Sequence, residues 1–219
     1  VAVSARTYGT IDVDDDGVFL DNATGETVVD ARERTTSGLF GQYCWGRVLE
    51  IGLGGGWTRA SIYANPSVTE IHTFEINSDV VDAWRGELAG LYGTVGDSPE
   101  DGAHTIDVGD LSVASGPYGA HPIPQIDSIV ITAAPLDDAA TLNSELADFL
   151  TAIGARVVIG CYDPAFAMVD WNCVLVFQDE ETGLCVIICD RWAGNIRSDQ
   201  VFRPGFGWVL LEDLTPTDG

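Results

Sequence analysis

The sequence predicts an α/β protein with a mostly parallel, seven-stranded sheet, helices on both faces, and a small antiparallel β unit ahead of it. Three observations predict it. From Arg47 onward, short apolar runs alternate with longer amphipathic ones, the texture of successive βαβ units. The first of those runs, Arg47–Ile51, delivers the chain into a glycine-rich turn, Gly52–Gly56. The second, Glu70–Phe74, ends on an acid, Glu75.

The elements follow in order. Residues 1–40 form the antiparallel unit and 41–219 the α/β domain. In the first, Thr10–Val13 and Val18–Asp21 flank Asp15-Asp16-Gly17, a hairpin turn, and Thr27–Asp30 adds a short strand. In the second, a helix over Trp57–Ala64 stops at Asn65-Pro66. After Glu75, Asn77 or Ser78 caps a helix reaching Leu91, with Val80, Val81, Trp84, Leu88 and Leu91 on one face. Strands are expected at Thr105–Val108, Ile126–Thr132 and Arg156–Cys161, with a helix over Leu136–Ile153. Three prolines between Ser115 and Gln125 exclude a regular helix there. Cys173–Gln178 and Leu184–Asp190 read as a late hairpin.

The glycine turn and Glu75 carry the chemistry. Glycine lacks a Cβ, so the backbone turns sharply and a ligand approaches it closely. Glu75 follows Gly56 by 19 residues, a spacing that suits an acid accepting from both hydroxyls of a ribose. A dinucleotide fingerprint would need Gly or Ala three residues after Gly54, where Trp57 stands. An acid, Glu50, instead precedes the glycines by two residues. With Asp79-Val80-Val81 opening the helix after Glu75, the segment from Arg47 to Trp84 resembles the class I S-adenosylmethionine-dependent methyltransferases, and most of all the spermidine synthases. Arg6-Thr7-Tyr8-Gly9, followed by strands and Asp16-Gly17-Val18, looks like the small hairpin domain before a spermidine synthase core.

That resemblance implies a Rossmann-like seven-stranded methyltransferase sheet. It implies S-adenosylmethionine, or its decarboxylated form, as cofactor. Glu50, Gly52 and Gly54 would line it, Glu75 would hold the ribose, and Asp110, after Val108-Gly109, would reach the adenine amino group. The implied activity is methyl or aminopropyl transfer to a small nucleophile. The alternative is a non-catalytic structural or assembly protein, for example of a viral particle, that retains the fold. What favours the alternative is the fourth strand: the spermidine synthases end it on an Asp, and the run here is Thr132-Ala133-Ala134-Pro135. Asp137 and Asp138 stand nearby as substitute catalytic acids, although both also suit the first turn of a helix.

Other patterns exclude other chemistries. Asp12, Asp14, Asp16 and Gly17 begin like a calcium loop, but Ala23 stands where the bidentate Glu belongs, so a solvated hairpin tip is expected. No metal site is expected, because His72, His104 and His121 are scattered and no C-x2-C pair occurs. Cys44, Cys161, Cys173, Cys185 and Cys189 sit mostly in apolar runs and read as buried free thiols.

The charge bounds partners and habitat. Asp and Glu number 34 against 10 basic residues, all Arg, for a net charge of −24. No basic patch exists for direct nucleic-acid binding, no apolar run has the length of a membrane span, and no signal peptide is read at the start. The expected partner is a small-molecule substrate, with self-association left open. Abundant Asp without Lys resembles proteins of extreme halophiles, or of viruses that infect them, and points to a cytoplasm of high salt. At molar salt the screening length is about 3 Å, so surface carboxylates cease to repel one another. The melting temperature should therefore rise from about 0.1 M to molar salt; a flat or falling curve would remove the argument.

Overall fold

The computed structural model describes residues 6–89, 98, 100–109, 126–132, 156–166, 171–190, 200–203 and 207–210. Its centre is one seven-stranded sheet built from β5 (Gly46–Ile51), β6 (Val68–Glu75), β7 (His104–Val108), β8 (Ser128–Ile131), β9 (Arg156–Cys161), β10 (Asn172–Gln178) and β11 (Cys185–Asp190). Their order across the sheet is β10-β11-β9-β8-β5-β6-β7. The five strands β5 to β9 are parallel, and β11 enters antiparallel between β9 and β10.

Alternation along the strands explains why both faces are dry. Leu49, Ile129, Ile131, Val157, Ile159 and Ile187 point into one core cluster. Their neighbours Val48, Val130, Val158 and Val186 point the other way, where Phe40, Cys44 and Ile62 cover them. Ile62 belongs to α2 (Trp57–Tyr63). Every residue of β8, β9 and β11 is buried, as expected for strands covered on both sides. The helix expected over Leu136–Ile153 lies outside the described residues. No described helix is long and apolar enough to cross a membrane.

The N-terminal residues form a separate four-stranded antiparallel sheet, in the order β1 (Arg6–Tyr8), β2 (Ile11–Val13), β3 (Phe19–Asp21), β4 (Thr27–Val29). The sequence reading contains the last three but not β1, whose polar run Arg6-Thr7-Tyr8 has no apolar alternation to reveal it. It also lacks the two-stranded unit of β12 (Gln200–Arg203) and β13 (Gly207–Leu210). After β4, the four-residue α1 (Arg34–Ser37) leads toward the main sheet.

The small sheet is welded to α3 (Ser78–Ala89). Ile11, Val13 and Phe19 share one core with Val80, Val81, Ala83 and Trp84. Asp79 accepts hydrogen bonds from the Thr10 amide and hydroxyl, at 2.8 and 3.0 Å. Glu87 receives the Arg6 guanidinium at 2.7 Å and the Tyr8 hydroxyl at 2.9 Å.

One expectation is corrected. The cysteines are not all free: Cys173 and Cys189 form a disulfide, while Cys44, Cys161 and Cys185 are free and buried. The reason is register, which the sequence does not state: Cys173 and Cys189 lie directly opposite each other on β10 and β11. The calcium-like run is a hairpin tip, where Asp14 Oδ1 accepts from the amides of Asp16 and Val18.

The weld at Glu87 has a testable cost. The Glu87 side chain is fully buried, so removing its cation leaves a carboxylate without a charge partner. Arg6→Ala should destabilise the protein by on the order of 2–4 kcal/mol, toward the lower end because Arg6 is partly exposed. Tyr8→Phe, which removes one hydrogen bond to the same carboxylate but leaves the ion pair, should cost less, about 1.5 kcal/mol. Denaturant unfolding of both variants checks the ranking; equal costs would mean the ion pair contributes nothing beyond a hydrogen bond.

Candidate functional site

The strand order places the candidate site. β6 leaves β5 on one side and β8 lies on the other, so the order reverses at β5, and its carboxyl end opens a crevice. The glycine turn occupies that position. Gly52, Gly54 and Gly56 have φ of +88°, +51° and +75°, a region that residues with a Cβ rarely adopt. At Gly56 there is also no room, because a Cβ would fall 2.1 Å from Trp84 Nε1. At Gly54 a Cβ would meet only Val29 Cγ2 at 3.9 Å. The turn is therefore closed on its inner side and bare at Gly54.

Glu75 organises the turn. It is 8% exposed. Its Oε2 accepts from the Leu53 amide at 2.9 Å, and its Oε1 from the Asn77 amide at 3.0 Å. Asn77 in turn caps α3, its Oδ1 accepting from the Asp79 amide at 2.9 Å. Strand ends on either side are tied in as well. The Gly109 amide donates to the Glu75 carbonyl at 3.0 Å, and the Thr132 hydroxyl to the Gly52 carbonyl at 2.6 Å. Gly52, Gly54 and Glu75 thus meet at one edge, with Val108-Gly109 beside Glu75. Asp110, Asp137 and Asp138 lie outside the described residues.

Glu50 stands apart from the other candidate residues. It is wholly buried, one turn of the pleat below the loop, with Oε2 accepting from Thr73 Oγ1 at 2.6 Å. Thr73 Oγ1 accepts in turn from Arg59 Nη1 at 2.6 Å. Arg59, also wholly buried, donates further to the carbonyls of Thr105 and His104. Burial pushes the Glu50 carboxyl up to about 7, with Arg59 and Thr73 pulling it down and Glu75 adding to the rise. Burial also lowers the Arg59 guanidinium, against the pull of Glu50. Thr132, Thr73 and Arg59 escaped the sequence reading. A Thr ending the apolar run of β8 was a usable signal, but an Arg within a short helix carries none.

Two exposed apolar side chains flank the acid. Ile76 is 68% exposed and Val108 50% exposed, on adjacent strand ends beside Glu75. Among the described residues no cluster of three or more His, Cys, Asp or Glu is placed to hold a metal.

Solved structures share this architecture. A spermidine synthase from Thermotoga maritima superposes with a TM-score of 0.55 at 18% identity, over 85% of this chain and 71% of that one. The chain has the class I methyltransferase fold. A spermidine synthase in complex with the transition state analogue AdoDATO gives 0.56 at 17% identity, over 82% and 68%. A protein described as an O-methyltransferase from Nostoc punctiforme gives 0.52 at 14% identity, over 73% of this chain; the chain spans 57% of that protein's length. No protein-family model matches the chain, and no curated protein sequence does. The late hairpin completes the sheet, with β11 the antiparallel strand, inserted between β9 and β10.

The buried acid gives a prediction with a definite sign. The folded-state value of Glu50 lies above its ordinary 4.5, so between pH 4.5 and about 7 the folded protein holds a proton that the unfolded chain releases. Stability from this group is present below that window and lost across it. Wild type should therefore lose on the order of 3 kcal/mol relative to Glu50→Gln between pH 4.5 and 8. Denaturant unfolding at the two pH values checks this; the opposite trend would show that attraction to Arg59 outweighs burial.

Proposed function

We propose that the crevice binds an S-adenosyl nucleoside and that the chain transfers a methyl or aminopropyl group from it to a small nucleophile. The observation that carries this reading is the junction of Glu75 with the glycine turn at the point where the strand order reverses. The solved structures of the same fold include enzymes of both transfer types by name, and one of them holds AdoDATO.

The residues present fit such a group. The turn offers bare backbone at Gly54. A carboxylate has about four acceptor positions, and Leu53 and Asn77 occupy two, so Glu75 retains capacity for ribose hydroxyls. Ile76 and Val108 would bury their exposed apolar surface against the flat face of a base, and Asp110 follows close by in sequence. Glu50 sets the floor of the site from below. When bound, the nucleoside supplies an alkyl group activated on a sulfonium; the protein holds it in line with the acceptor and excludes water.

The acceptor side lies over β8 and β9, where Asp137 and Asp138 follow the end of β8 in sequence. Residues 1–40 are the N-terminal β unit and 41–219 the α/β domain that carries the crevice. The acidic, Lys-free composition fits a protein working in a cytoplasm of high salt, in a halophile or its virus.

Glu75 separates a working site from an inherited fold. Glu75→Gln would turn an amide NH2 toward one of the two backbone donors and remove the charge that strengthens each bond. Affinity for S-adenosylhomocysteine should fall about tenfold or more in Glu75→Gln, and further in Glu75→Ala. Calorimetric titration in molar salt is the measurement, with the melting temperature followed alongside. Wild type that binds neither S-adenosylmethionine nor S-adenosylhomocysteine would end this reading.

A further inference from the structure

The segment from Val29 to Phe40 crosses from the small sheet to the carboxyl edge of the large one, and it is fixed at several points. At its start, Val29 Cγ2 stands 3.9 Å from where a Cβ of Gly54 would be. At its end, Phe40 lies so close to β9 that a Cβ on Gly160 would fall 2.8 Å from its ring. In the middle, the hydroxyl of Tyr162, the residue after β9, donates to Glu33 Oε1. Thr36 Oγ1 then donates to Asp179 Oδ2 at 3.2 Å, in the turn after β10.

These anchors locate the Glu33 carboxylate. Four Cα–Cα steps separate Val29 from Glu33, so their Cα atoms are at most about 14 Å apart. The end of β9 stands about 10 Å from the end of β5, across β8, at two strand spacings. Glu33 therefore lies at the same carboxyl edge as the glycine turn but on its β8–β9 side. Glu75, Ile76 and Val108 occupy the β6–β7 side. A nucleoside whose ribose was held by Glu75 would have the β8–β9 side of the edge left for its transferable group.

We propose that Glu33, held in place by Tyr162, is the general base on the acceptor side of the transfer, in the role that the missing acid at Ala133 leaves open. This rests on the nucleoside reading above. In the step, a bond forms between the acceptor atom and the transferred carbon while the carbon–sulfur bond breaks. The electron pair stays on sulfur, giving a thioether, and the acceptor's proton passes to the Glu33 carboxylate and then to solvent. Burial and the nearby Asp30 hold the Glu33 carboxyl above its ordinary value, with Arg32 partly opposing them, which makes it a better proton acceptor than an exposed acid. Tyr162 is a positioning residue: its hydrogen bond fixes one carboxylate oxygen.

A mere tether between segment and sheet would make the same hydrogen bond, so the test must read something a tether does not move. Sinefungin is S-adenosylhomocysteine with the sulfur replaced by a carbon bearing an ammonium group, which projects where the transferred carbon would be. A carboxylate on that side should favour sinefungin over S-adenosylhomocysteine by about tenfold or more, as a charge-assisted bond does. Both ligands are titrated into wild type, Glu33→Gln and Tyr162→Phe in molar salt. The expected result is a preference in wild type that collapses toward one in Glu33→Gln and shrinks in Tyr162→Phe, with S-adenosylhomocysteine affinity unchanged throughout. A wild type without the preference, or Glu33→Gln retaining it, overturns the assignment while leaving the nucleoside site standing. Failure of wild type to bind either ligand instead removes the nucleoside reading, and this assignment with it.

Discussion

Glu75 joins three stretches of backbone, two through its carboxylate and one through its main-chain carbonyl. One oxygen holds the Leu53 amide in the glycine turn, the other holds the Asn77 amide at the start of α3, and its own carbonyl receives Gly109 after β7. A buried carboxylate would be costly alone, and these amides make it tolerable. The dependence runs both ways. The turn can present Leu53 only because Gly52, Gly54 and Gly56 adopt left-handed backbone, and Gly56 is further constrained by the Trp84 ring beneath it. Trp84 in turn belongs to the core that fastens the N-terminal sheet to α3. Turn, acid, helix and small sheet are thus one mechanical unit.

The distribution of charge supports that unit. With 10 Arg against 34 acids, cations are scarce, and several are placed at junctions instead of on open surface. Arg6 fastens the N-terminal sheet to Glu87. Arg59 bridges α2 to the carbonyls of β7 and, through Thr73, to Glu50. Arg156 makes a two-pronged pair with Asp190 between β9 and β11 and lies 4.5 Å from the Trp45 ring centre. The rigid fork and large planar face of Arg suit such buried junctions better than a Lys ammonium would. Among the described residues, the acids other than Glu50, Glu75, Glu87 and Asp190 keep contact with water, where salt screens them.

The class I arrangement also explains how a segment with no recognisable motif reaches the site. In a doubly wound sheet every parallel strand ends at the same edge, so residues from β5, β6, β8 and β9 converge whatever their separation in sequence. Tyr162 and Glu33 are 129 residues apart and meet there. Thr132, with its hydroxyl on the Gly52 carbonyl, closes the gap between the two halves of the edge.

What the sequence by itself determined is whatever depends on local pattern. Alternating apolar runs placed β5, β6, β9 and the late hairpin within a residue or two, because a strand buried on both faces must be apolar throughout. Four glycines in five residues, followed by an acid at a strand end, marked the turn and Glu75, because both are contiguous signals. The tertiary structure alone decided everything that rests on pairing between distant strands. The disulfide of Cys173 with Cys189 follows from the β10–β11 register, which no spacing reveals. The polar strand β1 exists because Glu87 and Asp79 of α3 receive Arg6, Tyr8 and Thr10, not because its residues favour a strand. The burial of Arg59 against Glu50, and the meeting of Glu33 with Tyr162, required two elements to be brought together in space. Side-chain chemistry is written in the sequence, but its partner is chosen by the fold.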